Sequence, residues 1–271
     1  MVEHGCVSIN GAMCQTGATS VAAGDLVSIR FDRTQRYHEK KKRWDDRTFT
    51  VLFEDDHLIV VDKSAETLTV PTDRGEINTL VDRVSIYLSH SRSKREAWVV
   101  HRLDRDVSGL VIFGKHEKVA KQLIEQFKKR KPARVYAAIV TGVVSNDKGT
   151  FHSHLATGKN LERYVTRPSP MTELAITHYR VLRRMSDTTL VEVTLETGKR
   201  NQIRVQFADA EHPILGDSRY KTELAMHPRW IRKRIALHAK SLGFEHPVSG
   251  EAMQIESPLP SAIKKFLALS R

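Results

Sequence analysis

The run His101-Arg102-Leu103-Asp104-Arg105-Asp106-Val107-Ser108-Gly109-Leu110 constrains this chain more than any other segment. It sits between two apolar stretches, Trp98-Val99-Val100 and Leu110-Val111-Ile112-Phe113. Short apolar runs separated by a charged turn predict buried strands that present a loop at a sheet edge. The loop carries Asp104 between Arg102 and Arg105, a carboxylate with a cation on either side. Such a group can act as a nucleophile, a base or an electrostatic clamp. A surface salt-bridge turn has the same local chemistry.

The size and charge of the chain narrow the classes of function. A length of 271 residues suits one large core, or a large domain with a small one. No apolar run approaches the ~20 residues of a membrane span, and the N-terminus lacks a signal-peptide pattern. Cys6 and Cys14 do not form a disulfide framework in sequence, so a reducing cytoplasm is expected. Lys and Arg exceed Asp and Glu by 44 to 32, a formal charge of +12. The excess is clustered: Arg30 to Arg47 holds eight basic and four acidic residues, and Lys115 to Arg134 eight and two. Each cluster alone suits solvated surface. Together, with no apolar helix face beside them in an exposed terminal segment, they favour a nucleic acid over an anionic membrane.

Along the chain, residues 1–33 read as a small β-rich unit. Val7-Ser8-Ile9-Asn10-Gly11 alternates into a turn, and Gly24-Asp25-Leu26-Val27-Ser28-Ile29 leaves a turn for a second strand. Residues 34–47, with Lys40-Lys41-Lys42-Arg43, form a basic linker, and a larger unit covers 48–271. Within it Leu58-Ile59-Val60-Val61-Asp62 is a buried strand ending at Lys63. Ala120, Leu123, Ile124 and Phe127 recur at helical spacing until Pro132, with Lys118, Lys121, Lys128 and Lys129 on the other face. Strands are predicted at 135–140, 175–182 and 189–195. Strands in succession and few helices predict an α+β fold rather than a doubly wound parallel sheet.

The wording of these segments resembles the RluA-like pseudouridine synthases. The opening run is similar to that family's His-Arg-Leu-Asp-x-x-Thr-Ser-Gly signature, with Val107 in place of Thr. Arg134-Val135-Tyr136-Ala137-Ala138 resembles its Arg/Lys-x-Tyr-x-Ala segment. Gly198-Lys199-Arg200-Asn201-Gln202-Ile203-Arg204-Val205-Gln206 resembles Gly-Arg-x-His-Gln-Ile-Arg-x-His, with Lys199, Asn201 and Gln206 as departures. His212-Pro213-Ile214-Leu215-Gly216-Asp217 and the blocks at Leu237-His238-Ala239, Phe244 to Pro247 and Ser257 to Pro260 follow in the family's order. His238 is expected to be a structural hydrogen-bonding residue. After Lys63 the family continues with Pro and then Gly, whereas this chain has Ser64 and Glu66. Glu takes positive φ at a higher cost than Gly, so the usual loop conformation is not expected to carry over unchanged. Residues 7–11 and 24–29 resemble the second half of an S-four-type RNA-binding domain whose helical first half is missing here. A generic β-hairpin gives the same pattern.

The resemblance implies a pseudouridine-synthase-type catalytic domain with a mostly antiparallel sheet and a central cleft, beside a small partial N-terminal RNA-binding unit. It implies an isomerase acting on uridines of RNA, ribosomal rather than transfer RNA. Asp104 would be the essential carboxylate, Arg204 its partner and Tyr136 the ring packed against the target base. Arg102, Arg105, Lys199, Arg200, Asn201 and Gln202 would contact RNA. No cofactor or metal is implied, because the reaction is an isomerisation; a monomer is expected. The same chemistry on transfer RNA, and a catalytically inactive RNA-binding or ribosome-assembly protein, remain the alternatives.

Other chemistries find little in the sequence. His152 and His154 lack a Cys pair or an H-E-x-x-H spacing for zinc. Gly198-Lys199 lacks the upstream glycine of a phosphate loop, and Ser108 lacks the flanking glycine of a nucleophile elbow. No helix-turn-helix or zinc pattern suggests a DNA reader.

Overall fold

The protein is described by a computed structural model covering residues 2, 6–14, 19–30, 46–90, 95–129, 132–230 and 234–270. The chain divides into two compact units, Met1–Asp45 and Asp46–Arg271.

In the first unit, β1 (Val7–Ile9), β2 (Ala12–Met13) and β3 (Val27–Ile29) form an antiparallel sheet in the order β2-β1-β3. Asn10 and Gly11 both have positive φ, 50° and 82°, as a tight two-residue hairpin turn requires. Asn10 also ties down the second turn: its Nδ2 donates to Asp25 Oδ1 at 2.8 Å, and its Oδ1 accepts from Leu26 N at 2.8 Å. No α-helix occurs among the described residues of this unit. Residues 31–45, which carry nearly all of the expected basic linker, lie outside the described residues.

The second unit runs β4 (Phe49–Glu54), β5 (Leu58–Lys63), α1 (Leu80–Ser89), β6 (Trp98–Val99), β7 (Ser108–Gly114), α2 (Glu117–Lys128), β8 (Ala133–Thr141), β9 (Lys148–Thr157), β10 (Arg163–Thr166), β11 (Glu173–Arg184), β12 (Thr188–Leu195), α3 (Gln202–Asp209), α4 (Thr222–Ala225), β13 (Leu237–Glu245), β14 (Ala252–Glu256) and α5 (Ser261–Leu269). Its sheet has the order β10-β9-β11-β12-β8-β13-β7-β5-β4, with β14 added to β13 and β6 to β7. Every pairing is antiparallel except β13 with β7. The fold is therefore α+β, with a mostly antiparallel sheet.

Burial explains the local sequence. All seven residues of β7 are buried, and β5 is buried at five of six positions, so both read as continuous apolar runs. On β11, Ala175 and Thr177 are buried while their neighbours are less so, the alternation of a strand with one covered face. Helix α2 turns Val119, Ala120 and Leu123 onto Leu58, Val60, Leu110, Ile112, Leu242 and Phe244, and keeps Lys118, Lys121, Lys128 and Lys129 exposed. Lys115, counted with the basic cluster in sequence, departs from it: it is buried and donates to Glu54 Oε1 at 2.7 Å. Helix α3 packs on the other end of the sheet, placing Val205 and Ala208 against Leu155 and Ala175.

The parallel contact is narrow. β13 pairs with β7 only at His238 with Ser108 and Ala239 with Gly109. β6 takes the far end of β7, at Phe113 and Gly114. Gly109 has φ +118°, and a Cβ there would lie 2.3 Å from the Ala239 carbonyl oxygen. No other residue fits without moving a strand.

Candidate active site

Asp104 lies in the turn between β6 and β7, which two neighbouring residues hold in shape. Thr69 Oγ1 donates to the Leu103 carbonyl at 2.8 Å and accepts from Leu103 N at 3.2 Å. Lys63, wholly buried at the end of β5, donates from Nζ to the carbonyls of Ser64, Thr67 and Arg105 at 3.0, 2.7 and 3.0 Å. One ammonium thus joins the loop after β5 to the turn that carries Asp104. Burial pushes Lys63 down to about 7, against the pull of Asp106 and Asp104. Within the turn, Val107 N donates to the Asp104 carbonyl at 3.2 Å, and the Val107 side chain is buried. The apolar side chain in place of a Thr is accommodated as core.

The loop after Lys63 takes the conformation that costs Glu more than Gly. Glu66 has φ +68°, a left-handed step made without glycine. Lys63 fixes the carbonyls on both sides of this step, and Arg105 Nε donates to the Glu66 carbonyl at 3.4 Å. The surrounding bonds determine the backbone here, and the residue bears the strain.

Two side chains from one distant segment of the sequence meet at Asp104. Arg204, buried on α3, donates from Nη1 to Asp104 Oδ2 at 3.1 Å, and Asn201 donates from Nδ2 to the same oxygen at 2.7 Å. The rest of the Arg204 guanidinium is held by Asp217: Nε to Oδ2 at 2.7 Å and Nη2 to Oδ1 at 2.8 Å. Asp217 has no exposed side-chain surface and also accepts from the backbone N–H groups of Arg219 and Tyr220. Burial opposes the charge on Arg204, but the carboxylates of Asp217 and Asp104 outweigh it and raise its pKa above the ordinary arginine value. Asp104 Oδ1 has no hydrogen-bond partner among the described residues, so one carboxylate oxygen is anchored and the other is available.

Tyr136, on β8, shares with Asp104, Arg204 and Asn201 the lining of a cavity of about 240 Å³. It is buried, and burial raises its phenol pKa, with Asp104 adding to the effect and Arg134 opposing it. Arg102 and Lys199 lie on the same wall. Arg200 is exposed there and donates to the Leu161 carbonyl, and Lys199 pairs with Glu173 at 2.9 Å. Arg105 is exposed but is not part of this lining.

Two residues expected to contact RNA line this cavity and also make internal bonds. Gln202 is buried, and both ends of its amide are used: Oε1 accepts from Thr197 Oγ1 and Lys199 N, and Nε2 donates to the Ile176 carbonyl and Thr177 Oγ1. Asn201 is buried and turned onto Asp104; at φ +57° it opens α3 in the left-handed conformation that Asn tolerates. Gln206 is likewise internal, bonded to Thr177, Ser153 and the Ala175 carbonyl. These amides fasten α3 to β9 and β11 and so fix the height of Arg204 above the sheet. Sequence reasoning missed Asp217 as a site residue, although it stood in a quoted block. His238 bonds Ser108 Oγ through Nδ1 at 3.0 Å, behind the turn.

Comparison with known proteins matches this arrangement to one family. Residues 57–209 fit the family model described as RNA pseudouridylate synthase. The chain belongs to that family. It is 31% identical to the ribosomal large subunit pseudouridine synthase D of Vibrio cholerae, over 98% of this chain and 84% of that protein. It is 34% identical to the uncharacterized RNA pseudouridine synthase YhcT of Bacillus subtilis, over 80% of this chain and 70% of that one. Among solved structures, human RNA pseudouridylate synthase domain containing 4 superposes with a TM-score of 0.67 at 22% identity, covering 80% of this chain and 91% of that chain. In this family member, Asp104, Tyr136 and Arg204 all fall within the matched span, and Asp217 lies just beyond it. Among the described residues no cluster of three His, Cys, Asp or Glu could hold a metal ion, and no helix is long and apolar enough to cross a membrane.

Proposed function

We propose that this chain isomerises uridine to pseudouridine in ribosomal RNA, with Asp104 as the essential carboxylate. The observation that carries this reading is the anchoring of one Asp104 oxygen by Arg204 and Asn201 at the wall of a nucleoside-sized cavity that Asp104 and Tyr136 both line. The reaction breaks the bond between uracil N1 and ribose C1′, turns the base, and joins C5 to C1′. The C5 proton leaves and N1 gains one, so the isomerisation balances without a redox partner or external energy. Bond breaking develops positive character at the sugar. A carboxylate fixed beside it can add to C1′, stabilise the charge or remove a sugar proton. Arg204 keeps that carboxylate oriented, and the Tyr136 ring supplies the stacking surface that a base lifted from its helix requires.

Ribosomal RNA is favoured over transfer RNA by the relatives named for the large ribosomal subunit. Arg102, Lys199 and Arg200, and the exposed lysines of α2, supply cations for the RNA backbone. Residues 1–33, within the first unit, would add RNA contacts as a partial S-four-type domain. The enzyme would act as a monomer in the cytoplasm, which suits two cysteines without a disulfide framework. Asp104→Asn tests the reading. RNA affinity should change by less than about threefold, while pseudouridine formation in total RNA should vanish. Full activity in that variant excludes the assignment.

A further inference from the structure

A second, larger cavity of about 590 Å³ adjoins the one around Asp104, and the two share Arg102, Tyr136, Leu195, Gly198 and Lys199 in their walls. Its own wall adds His101, Phe127 and Arg134, with Ile124 and Lys128 of α2. The volume is within the roughly 300–1,000 Å³ of small-ligand sites. Every charged residue among the described lining is cationic: Arg102, Lys128, Arg134 and Lys199. Aromatic rings with cations and no carboxylate form a surface suited to a nucleotide.

His101 gives this wall a specific hydrogen-bond character. The Ile112 backbone N–H points at its Nε2 at 3.2 Å. A backbone amide can only donate, so Nε2 holds a lone pair and the neutral ring carries its proton on Nδ1. Burial, with the Arg134 charge, pushes His101 down to about 3, so the ring is neutral at any working pH. Its orientation is fixed by a stack on Phe127, with centroids 4.7 Å apart and planes at 19°. Arg134 in turn lies 5.7 Å from the centre of the Phe127 ring. Nδ1–H has no partner among the described residues. The result is a rigid single donor in a cationic, aromatic cavity next to the site of chemistry.

We infer that this second cavity binds the nucleotide adjacent to the target uridine in the RNA strand, and that the His101 Nδ1–H reads an acceptor on that nucleotide's base. Covalent linkage through one phosphate demands a neighbouring site, and the shared wall of Arg102 and Lys199 is where that phosphate would pass. The inference rests on the proposed pseudouridine synthase activity. It gives that activity a sequence preference set by a residue that does not line the cavity around Asp104.

The test uses the full chain on total RNA from cells lacking this gene. Pseudouridines are mapped first, and short transcripts around a mapped site are then varied at the two flanking positions. The wild type should prefer one base at one flank by about tenfold in kcat/KM. His101→Phe keeps the stack but lacks the donor, and should shrink that ratio toward one. Ile124→Trp fills the second cavity from α2 at a position that does not line the cavity around Asp104, and should raise KM for RNA about tenfold with a smaller change in kcat. Mapped activity with the flanking ratio unchanged in both variants overturns the second site and leaves the synthase assignment standing. No modification of any RNA by the wild type removes both.

Discussion

Arg204 and Asp217 are joined by two parallel hydrogen bonds, Nε to Oδ2 and Nη2 to Oδ1, which leave only Nη1 of the guanidinium for Asp104. The geometry assigns a division of labour. Asp217 sets the plane of the guanidinium, and the plane sets where the third nitrogen points. An arginine held by Asp104 alone could swing about its last torsions, and the carboxylate with it.

Asp217→Asn should therefore act through Arg204. It retains the shape but replaces one acceptor oxygen with a donor facing another donor. We expect single-turnover pseudouridine formation to slow by about tenfold to a hundredfold, with RNA binding little changed. A rate within twofold of the wild type would mean that Arg204 is held by its surroundings without Asp217.

Asn201 combines a backbone task and a side-chain task that substitutions can separate. Asn201→Gly accepts the left-handed conformation and loses only the bond to Asp104, so activity should fall about tenfold, the value of one hydrogen bond to a charged group. Asn201→Ala loses the same bond and adds about 1 kcal/mol of backbone strain. The two variants should share one rate in the RNA assay and differ in their urea midpoints. Wild-type rates in both would show that the contact with Asp104 is idle.

Glu66 is exposed and strained at φ +68°. Glu66→Gly should raise stability by about 0.5–1 kcal/mol, the left-handed strain relieved less the added freedom of the unfolded chain. Chemical denaturation reads this directly. An unchanged or lower midpoint would indicate that the Glu side chain contributes more to the loop than its conformation costs.

His101 is half-buried and His238 buried, and desolvation lowers them to about 3 and about 4, below the ordinary histidine value of about 6.5. Between those limits the unfolded chain binds more protons than the folded one. Stability is thus fully present above pH 6.5 and is lost as pH falls toward 4. Each histidine accounts for on the order of 2 kcal/mol between pH 6.5 and 5. The variant His238→Gln should show a shallower loss of stability over this interval than the wild type. Equal slopes would show that His238 is not the group being protonated.

Much of this site can be read in the sequence because its chemistry sits in three contiguous blocks. Asp104, Tyr136 and Arg204 each stand within a recognisable run, and the buried strands β5 and β7 show as apolar stretches. The partners are harder to read. Gln202, Asn201 and Gln206 look like exposed polar residues of a basic loop, yet every residue from Gln202 to Ala208 is buried, so α3 lacks the polar face that would mark it as a helix. Asp217 looks like a turn former until Arg204 is seen thirteen residues away in sequence and in direct contact. Helix α1 carries a start signal in Thr79 and Asp82, whose side chains cap it reciprocally, and its Val81 N–H bonds the carbonyl of Thr69, the residue that holds Leu103. Glu66 shows the opposite limit, where tertiary hydrogen bonds override what the residue prefers.

The two-pair contact between β7 and β13 has a consequence for how activity arises. Asp104 belongs to the part of the sheet made by β4 to β7, whereas Tyr136 and Arg204 belong to the part made by β8 to β13. Neither part holds a complete set of groups. The proposed chemistry would therefore need both parts of the sheet in register, and Gly109, whose missing Cβ lets β7 lie against Ala239, would serve that register rather than take part in the reaction.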